Sequence, residues 1–541
     1  MTNDEQTRAP GRPTWAWLGV VSTLVGLGTG QLVAALVRPD ASPVLATGST
    51  VIDLTPTPVK NWAIENFGTL DKTILLGSVL LVVLLLAAVA GLLARRRFVL
   101  GAGVEALLVL VATVLAVTRP QAGFLDAVPG LATGLAGVGA LAVLHRLATT
   151  GTLRRRPEAA GTPVDEGDQA DQAETDDELA AVPGPSRRGV LLASAALALL
   201  AAAAGGAARA VQRLRGGPAD VVLPEASDPA LFHPTGAFPR GLDDRVAGIT
   251  PLRTPLADFY RVDTRLDVPV VDVESWTLTI DGDVEREVTL TFDDLLAMDL
   301  VERDITLTCV SNSVGGPYAG GARWLGVRLT DLLAMAGVGS TADQILSTDV
   351  DGMTISTPLA VATDGRDAMI AVGMDGAALP REHGFPARMV VPGLYGFVSA
   401  CKWITRMTLT TYDAQQAYWT ERGWATDAPI KISARIDTPR ALEQLDAGRV
   451  NIGGVAWAQG SGGVGRVQVS IDGGPWTDAR TGPDVGNDYW RQWYLPWDAE
   501  AGSHTVAARV VTGSGTVQQN VRAEPFPDGA SGVHTLQVSV G

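Results

Sequence analysis

Cysteine and histidine are scarce in this chain of 541 residues, which contains two cysteines and five histidines. The two cysteines, Cys309 and Cys401, allow one disulfide bond at most, so the sequence excludes a secreted scaffold held by several disulfides. So few histidines leave little room for metal sites built from imidazoles, and the lack of a His-x-x-x-His motif argues against a zinc protease. These counts do not exclude a site in which one cysteine sulfur binds a metal.

Basic residues are also in deficit, because 42 Lys and Arg stand against 58 Asp and Glu and give a formal net charge of −16. Nucleic-acid binding needs clustered Lys and Arg facing the phosphates, so we expect no nucleic-acid partner. Before about residue 211, apolar residues come in long uninterrupted runs, and after it they alternate with polar ones. This change predicts a membrane half followed by a soluble half of more than one domain.

Five of the apolar runs are long enough to cross a bilayer, which takes about 20 residues. Arginine clusters precede the first run, separate the second from the third, follow the fourth and precede the fifth, so all fall on one side if five spans form. The positive-inside rule places that side in the cytoplasm, which predicts a multi-pass cell-membrane protein whose soluble half, after residue 211, is extracytoplasmic. The predicted spans are Trp15–Val37, Thr73–Ala94, Phe98–Thr118, Phe124–Leu144 and Gly189–Val211.

The first 150 residues are therefore interpreted as a four-helix transmembrane region that anchors the protein or offers a docking surface. Only His145 is available as a haem ligand there, and the runs contain almost no charge of the kind that marks proton or ion paths. Residues 151–188 are acidic and poor in large apolar residues, which predicts a disordered cytoplasmic loop. Arg187-Arg188 before the fifth span, 189–211, either belongs to a twin-arginine export signal or only sets the orientation of that span.

The soluble half shows two patterns after a proline-rich linker over residues 212–255. Residues 256–427 mix short strands with short helices, such as Leu329–Ala336, and this predicts an α+β domain. Residues 428–541 contain regularly spaced alternating strands with turn signals, which are typical of an immunoglobulin-like β-sandwich. The run Gly460–Gly465 matches a dinucleotide-binding fingerprint, but an alternating strand follows it instead of a helix, so we expect a hairpin loop.

Cys309 lies in the run Thr308–Asn312, at the end of a predicted strand and shortly before two glycines. A sulfur at such a junction can face a cleft, and thiolate suits soft or high-valent metals, although a lone cysteine is more often a small buried side chain. A second cluster places His383, Arg388 and Lys402 among Gly/Pro-rich turns. Three basic side chains near exposed backbone N–H groups predict a pocket for an anion.

These segments resemble the sulfite oxidase family of molybdopterin enzymes, in a membrane-anchored bacterial branch, and the resemblance runs from Phe259 to the C-terminus. It implies a molybdenum–molybdopterin cofactor whose metal is held by two dithiolene sulfurs and the thiolate of Cys309. Other segments that share it are Arg323–Val327, Val390–Tyr395, Trp490–Trp493 and Phe526–Gly532. The cofactor contacts that the resemblance implies are Tyr260, Arg261, Cys309, Asn312, Thr348, His383, Arg388, Ser399 and Lys402.

The sequence departs from the sulfite oxidase pattern at two positions near the metal. Trp424 takes the place of a tyrosine and joins Cys309 as a candidate catalytic residue, and Val262 stands where the substrate arginine is expected. Cys401 is either a bystander or a second thiol near the metal, able to oxidise with Cys309 in a cofactor-free form.

We therefore expect a membrane-anchored molybdenum oxidoreductase that transfers an oxygen atom at a small oxyanion or sulfoxide. Because no haem domain is fused to the chain, electrons must pass to or from a separate partner protein. The alternatives are a methionine sulfoxide reductase of the cell envelope and a non-enzymatic, membrane-anchored binding module. Whether the chain forms a homodimer stays open.

Overall fold

The computed structural model describes most of the chain, as two compact units. The first comprises residues up to Leu214 together with Arg265–Asp267, and the second comprises the remainder up to Gly541. Of the acidic loop predicted over residues 151–188, residues 151–186 lie outside the described residues. The structure describes residues 11–56, 59, 62, 67, 70–119, 122–150, 187–214, 218, 221–231 and 238–541.

The first unit is helical. Among its described residues, five helices are long and apolar enough to cross a membrane, and they coincide with the five predicted spans to within a few residues. The helix α2 was not predicted, since its 12 residues are too few to cross a bilayer. The helices are α1 (Arg12–Val37), α2 (Pro43–Leu54), α3 (Asp71–Ala94), α4 (Phe98–Val117), α5 (Ala127–Thr150) and α6 (Arg187–Leu214).

Small residues allow these helices to approach closely. The first helix, α1, contacts α3, α5 and α6. A Cβ atom added to Gly19 of α1 would lie 2.1 Å from the backbone oxygen of Ala87 in α3, and one added to Gly26 would lie 2.7 Å from that of Thr133 in α5. Apolar helices associate in this way where lipid removes the hydrophobic drive between them.

The second unit begins with an α+β part, in which strands of two sheets contribute to a common apolar core. Its strands are β1 (Thr277–Gly282), β2 (Val288–Thr291), β3 (Leu300–Thr308), β4 (Ala319–Arg328), β5 (Gln344–Asp349), β6 (Thr354–Pro358), β7 (Met369–Met374), β8 (Ala377–Ala378), β9 (Arg388–Val390) and β10 (Ile404–Thr410). Its helices are α7 (Phe292–Leu296), α8 (Leu329–Ala336), α9 (Leu359–Ala362) and α10 (Gly396–Ser399).

The strand order is β2-β1-β10-β5-β6 in one sheet and β3-β4-β7-β8 in the other, where β9 also pairs with β7. Helix α8 has the bounds that the sequence predicts. Thr291 caps α7, because its side chain accepts a hydrogen bond from the backbone N–H of Asp294, and Gly337 ends α8 with a φ of 70°. These sheets place the ends of β3 and β9 at the candidate site.

The last part of the unit is all β, with described strands in two sheets of order β11-β13-β17-β16 and β12-β19-β18-β14-β15. Ile452 and Trp493 from one sheet share a buried core with Val467 and Val510 from the other, as the alternating pattern predicts. Its resemblance to an immunoglobulin domain stays a prediction. The strands are β11 (Ser433–Thr438), β12 (Gln444–Leu445), β13 (Gly448–Trp457), β14 (Val464–Ile471), β15 (Thr477–Asp478), β16 (Arg480–Thr481), β17 (Arg491–Ala499), β18 (Gly502–Thr512) and β19 (His534–Val540).

Glycines lie at two of the loops that connect strands in the second unit. The run Gly460–Gly465 joins β13 to β14 without a helix, and Gly460, Gly462 and Gly463 have φ values of 72°, 77° and 72°. The run is therefore a loop and does not open a helix, but the hairpin prediction is wrong, because β13 and β14 lie in different sheets. The strands β1 and β2 form a hairpin whose turn follows Gly282, since Gly282 still pairs with Leu409 of β10.

Candidate active site

Cys309 lies immediately after β3, at the strand-to-loop junction that the sequence predicts. Its backbone N–H donates to the carbonyl oxygen of Tyr318 at 3.0 Å, and its own carbonyl oxygen accepts from the N–H of Asn312 at 3.1 Å. The side-chain oxygen of Asn312 accepts from the N–H of Tyr318 at 2.8 Å. Asn312 therefore clamps the loop that holds the cysteine.

The thiol of Cys309 is buried and is not part of a disulfide. Burial raises the pKa of this thiol, while hydrogen bonds from Ser311 and the positive charge of Lys402 lower it. Among the described residues no group of three or more His, Cys, Asp and Glu side chains could hold a metal ion. A metal bound to Cys309 must therefore bring most of its other ligands with it, as a metal–dithiolene group does.

The structure brings together the three basic residues of the predicted anion pocket. Arg388 in β9 and Lys402 form an isolated antiparallel bridge, and the Arg388 Nη1 donates to the carbonyl oxygen of His383 at 3.1 Å. Gly384 makes this approach possible, because its φ is 113° and a Cβ there would lie 3.2 Å from the Cα of Lys402. His383 itself ends a short 3₁₀ helix, Arg381–His383.

Burial lowers the pKa values of all three groups, and neighbouring positive charges lower those of His383 and Lys402 further. The pKa of His383 is lowered to about 4, mainly by burial and then by Arg388 and Lys402. The pKa of Lys402 is lowered to about 8 and that of Arg388 to about 10, again with burial as the first cause. Positive charge held this closely in a buried place is stabilised by an anion.

Asp263 supplies negative charge to part of this cluster. It accepts a hydrogen bond from Lys402 Nζ, and its Oδ2 lies 2.8 Å from Arg261 Nε. Within the described part of the chain, Arg388 Nε is buried without a hydrogen-bond partner, and so is the hydroxyl of Thr308 beside the cysteine. Buried donors of this kind normally have partners, so both atoms point to a missing polar ligand.

Aromatic side chains form one wall of the site. The ring of Phe259 stacks on Tyr260 and lies edge-on to His383, each at 5.3 Å between ring centroids. Burial raises the pKa of Tyr260, and so does the nearby charge of Cys309, whereas Arg388 lowers it. Tyr260 therefore lies close to both the thiol and the cation cluster.

Two predicted cofactor contacts are occupied with the protein itself. The hydroxyl of Ser399 donates to the carbonyl oxygens of Leu394 and Tyr395, each at 3.0 Å, and so stabilises α10. The carbonyl oxygen of Thr348 in β5 lies 3.3 Å from the hydroxyl of Thr405. The roles of Ser399 and Thr348 toward a cofactor stay predictions.

Trp424 belongs to a cluster of aromatic side chains with Trp419, Phe397 and Phe526. Its ring centroid lies 5.2 Å from that of Phe526 and 5.5 Å from that of Phe397. Trp424 is 8% exposed, and in the described part of the chain its indole Nε1 has no hydrogen-bond partner. Phe397 follows Gly396, and a Cβ on Gly396 would lie 4.0 Å from the backbone oxygen of Thr308, so the backbone of the segment that carries Phe397 runs beside the end of β3.

The sequence analysis missed two residues of the site. Asp263 was overlooked because a lone aspartate in a loop gives no periodic signal, although it lies two residues after Arg261. Tyr395 is buried, its hydroxyl accepts from the N–H of Lys431 at 3.3 Å, and burial and the charge of Cys309 raise its pKa. Its motif was noted, but no role was inferred for its ring.

Residues 265–419, which include Cys309 and the cation cluster, match the family model described as oxidoreductase molybdopterin binding domain. This part of the chain therefore matches a molybdopterin-binding oxidoreductase domain and is similar to sulfite oxidases, and the cofactor that this similarity implies is molybdenum–molybdopterin.

Three relatives show the range of similar proteins. Mitochondrial sulfite oxidase of Homo sapiens is 32% identical over 295 residues, covering 46% of this chain and 54% of the relative. Sulfite oxidase of Arabidopsis thaliana is 26% identical over 293 residues, or 45% of this chain and 74% of the relative. Nitrate reductase [NADH] of Ulva prolifera is 29% identical over 327 residues, covering 49% of this chain and 37% of the relative. The chain spans about half the length of the human relative.

The residues present fit this cofactor. A buried thiol can serve as a soft ligand, the partnerless Arg388 Nε and Thr308 hydroxyl can donate to anionic or polar groups, and the crowded cations can bind a phosphate. His383, Arg388 and Lys402 would hold the anionic part, and Cys309 the metal.

The lowered pKa of His383 predicts how acid affects the cofactor-free protein. The unfolded chain, with a histidine pKa near 6.5, binds more protons than the folded chain down to about pH 4, so the free energy of unfolding falls as the pH drops through that window. For His383 the full loss is up to about 3 kcal/mol. We expect His383→Gln to remove the part of this acid-induced loss of stability that is due to His383. The measurement is the free energy of unfolding by chemical denaturation at pH 6.5 and 4.5.

A second histidine provides the control for this experiment. His534 also has a pKa lowered to about 4, mainly by burial, and its Nδ1 accepts from the N–H of Ile436 at 3.0 Å in the all-β part. Loading the cofactor should cancel the acid sensitivity due to His383, because a bound anion stabilises the protonated ring, but not that due to His534. Equal effects of loading on both histidines would contradict the assignment of the anion pocket.

Proposed function

We propose that this chain is a membrane-anchored molybdenum oxidoreductase that carries out a two-electron oxygen-atom transfer, with a sulfoxide as the favoured substrate over a small oxyanion. The observation that carries the proposal is a buried thiol, Cys309, beside a buried cation cluster whose Arg388 Nε lacks a partner in the described structure. The cofactor, when bound, supplies the metal and the redox chemistry.

The side chains of the chain prepare the site for that chemistry. Cys309 loses its proton to become a ligand, and the positive charge of Lys402 favours the thiolate. Arg388, Lys402 and His383 bind the anionic part of the cofactor and fix its orientation. Tyr260, packed in the aromatic wall, keeps bulk water from this side of the thiol.

The aromatic cluster around Trp424 supports a neutral substrate. Val262 offers no charge where the sulfite oxidase pattern has an arginine, whereas Trp424 offers one neutral N–H donor among apolar rings. A sulfoxide matches this combination, since its oxygen accepts a hydrogen bond and its substituents are apolar. Phe526 is 48% exposed, so a methionine sulfoxide side chain of another protein is the second candidate substrate.

A substrate panel tests the proposal and the part played by Trp424. Molybdenum-loaded protein is assayed with an artificial electron donor and acceptor against sulfite, dimethyl sulfoxide, trimethylamine N-oxide and methionine sulfoxide, free and in a peptide. Both directions are needed because the relatives include sulfite oxidases and a nitrate reductase.

We expect Trp424→Phe to keep the ring packing, lose the N–H donor and lower kcat/KM for the sulfoxide by about tenfold, since one such bond is worth roughly 1.5 kcal/mol. Trp419→Phe, in the same cluster, should leave kcat/KM unchanged. If only sulfite turns over, the sulfoxide assignment is wrong, and if loaded protein turns over none of the panel, a binding module becomes the better explanation.

The placement in the membrane rests on the five long apolar helices of the first unit. Arg95, Arg96 and Arg97 separate α3 from α4, and the positive-inside rule then places the second unit outside the cytoplasm. Electrons would come from or go to a separate partner. Protease added to intact spheroplasts should digest the second unit, and protection until lysis would contradict this orientation.

A further inference from the structure

The described helices of the first unit enclose a cavity of about 260 Å³ between α1, α2, α3, α4 and α5. Its wall is almost entirely apolar, with the hydroxyls of Thr23, Thr47 and Thr133 at intervals and one carboxyl group, that of Glu105 in α4. The apolar runs contain almost no charged residues, and the structure buries one of the few, Glu105, which is 4% exposed.

The two oxygens of the Glu105 carboxyl group differ in their bonding. Oε1 accepts hydrogen bonds from the hydroxyls of Ser22 and Thr23 in α1, the latter at 3.3 Å. Oε2 is buried and, among the described residues, has no hydrogen-bond partner. The bonds at Oε1 join α1 to α4, as polar residues between apolar helices often do. They leave Oε2 unexplained, and an unmatched buried oxygen is costly.

Asp126 shows how a purely structural acid is accommodated in the same unit. It is also 4% exposed, but its Oδ2 pairs with Arg38 Nη1 at 2.9 Å and accepts from the backbone N–H of Gly123 at 2.9 Å. Within the described residues Glu105 pairs with no such cation, and it borders a cavity instead of solid packing. An ionisable group in this setting usually marks a functional site.

The cavity is accessible from the side of the helix bundle. Leu80, Leu107 and Val111 border it, and they are 38%, 60% and 50% exposed. If the helices cross a bilayer, these side chains face the acyl chains, so a molecule dissolved in the membrane can reach the cavity laterally.

We propose that this cavity binds one small apolar molecule carrying a hydroxyl group, which bonds to Glu105 Oε2. A hydroxyl group both donates and accepts, so it can pair with a carboxyl group in either protonation state. The rest of the ligand matches the apolar wall. Two sources share this chemistry, an isoprenoid alcohol and a hydroquinone. The inference rests on the proposed membrane placement of the first unit.

Carbodiimide labelling tests the site in the full chain, in nanodiscs. Dicyclohexylcarbodiimide is apolar and adds to carboxylic acids in apolar surroundings, and peptide mass spectrometry locates the adduct. We expect Glu105 to be labelled and Asp126, which is paired with Arg38, to remain unlabelled. Absence of the label at Glu105 would overturn the proposal, and resistance to alkaline carbonate extraction tests the membrane placement separately.

Competition then tests recognition of the hydroxyl group. Farnesol is compared with farnesene, and tetramethylhydroquinone with its dimethyl ether. We expect one of the two hydroxyl compounds to slow labelling of Glu105 at least threefold more than its hydroxyl-free counterpart, and the one that does so identifies the source. If neither pair differs, the cavity has no polar recognition and the proposal fails.

A pair of variants in α4 tests the location of binding. Ala112 borders the cavity, so Ala112→Leu should fill it and abolish the protection by the hydroxyl compound. Gly103, on the same helix, is exposed, and nothing lies within 4 Å of a Cβ placed there, so Gly103→Leu adds apolar bulk outside the cavity and should preserve protection. Protection that survives Ala112→Leu would place binding elsewhere.

Discussion

Replacing Cys309 by serine is expected to lower turnover by at least about 100-fold, because changes merely next to a metal ligand already cost 10- to 100-fold. The hydroxyl group of serine has nearly the same size but is a harder, far more weakly acidic ligand, so the metal loses its soft protein donor. Folding should be unaffected, since Cys309 forms no disulfide. The measurements are molybdenum per chain, turnover with the best substrate of the panel, and the thermal melting temperature.

Cys401 gives the matched control for this substitution. It is 1% exposed and is likewise a free thiol, so Cys401→Ser imposes the same chemical change at a second buried site. We expect that variant to keep its molybdenum and its turnover to within a few-fold. Equal losses in both variants would mean that Cys401 also acts at the metal, and full activity of Cys309→Ser would refute the proposed site.

Replacing Arg388 by glutamine is expected to have two effects of opposite sign. Retention of the pterin should fall by more than about tenfold, because removing one partner of a buried charge pair costs roughly 2–5 kcal/mol. The cofactor-free protein, however, should be at least as stable as the wild type, because burial lowers the pKa of Arg388 to about 10 and so disfavours the charged guanidinium there. Released pterin fluorescence and the melting temperature of the cofactor-free protein measure the two effects.

Arg406 serves as the control for the loss of a guanidinium group. It lies in β10, its side chain is 48% exposed, and it pairs with Asp281. Exposed pairs contribute about 1 kcal/mol or less, so Arg406→Gln should change neither quantity appreciably. If Arg388→Gln destabilises the cofactor-free protein strongly, Arg388 is a structural residue and the anion pocket is assigned wrongly.

The amphipathic and apolar elements of this fold could be predicted from the sequence, whereas strands buried on both faces could not. Helix α8 and the strands β14 and β19 have clear periodicity. The strands β4 and β7 are buried along almost their whole length, so apolar residues do not alternate with polar ones. In β4, glycines mask the pattern further: a Cβ on Gly320 would lie 2.8 Å from the ring of Phe259.

Sequence motifs predicted the residues that carry the chemistry of the site better than the residues that surround them. Cys309 and the cation cluster stand in short distinctive segments, and the structure brings them together as expected. Asp263 acquires its role only through contact with Lys402, which is 139 residues away along the chain. Glu105 was visible as a lone acid in an apolar run, but the sequence could not show that it borders a cavity or that one of its oxygens is left without a partner in the described structure.

The C-terminal segment of the second unit completes the site that the α+β part begins. Phe526 packs against Trp424, the carbonyl oxygen of Pro527 accepts from the N–H of Ala425 at 3.2 Å, and Lys431 Nζ lies 2.8 Å from Asp528. The aromatic cluster around Trp424 therefore cannot be complete until the chain has been synthesised as far as Phe526 and has folded back onto the α+β part. We expect a protein in which only one of the two parts is exchanged for that of a relative to lose this packing.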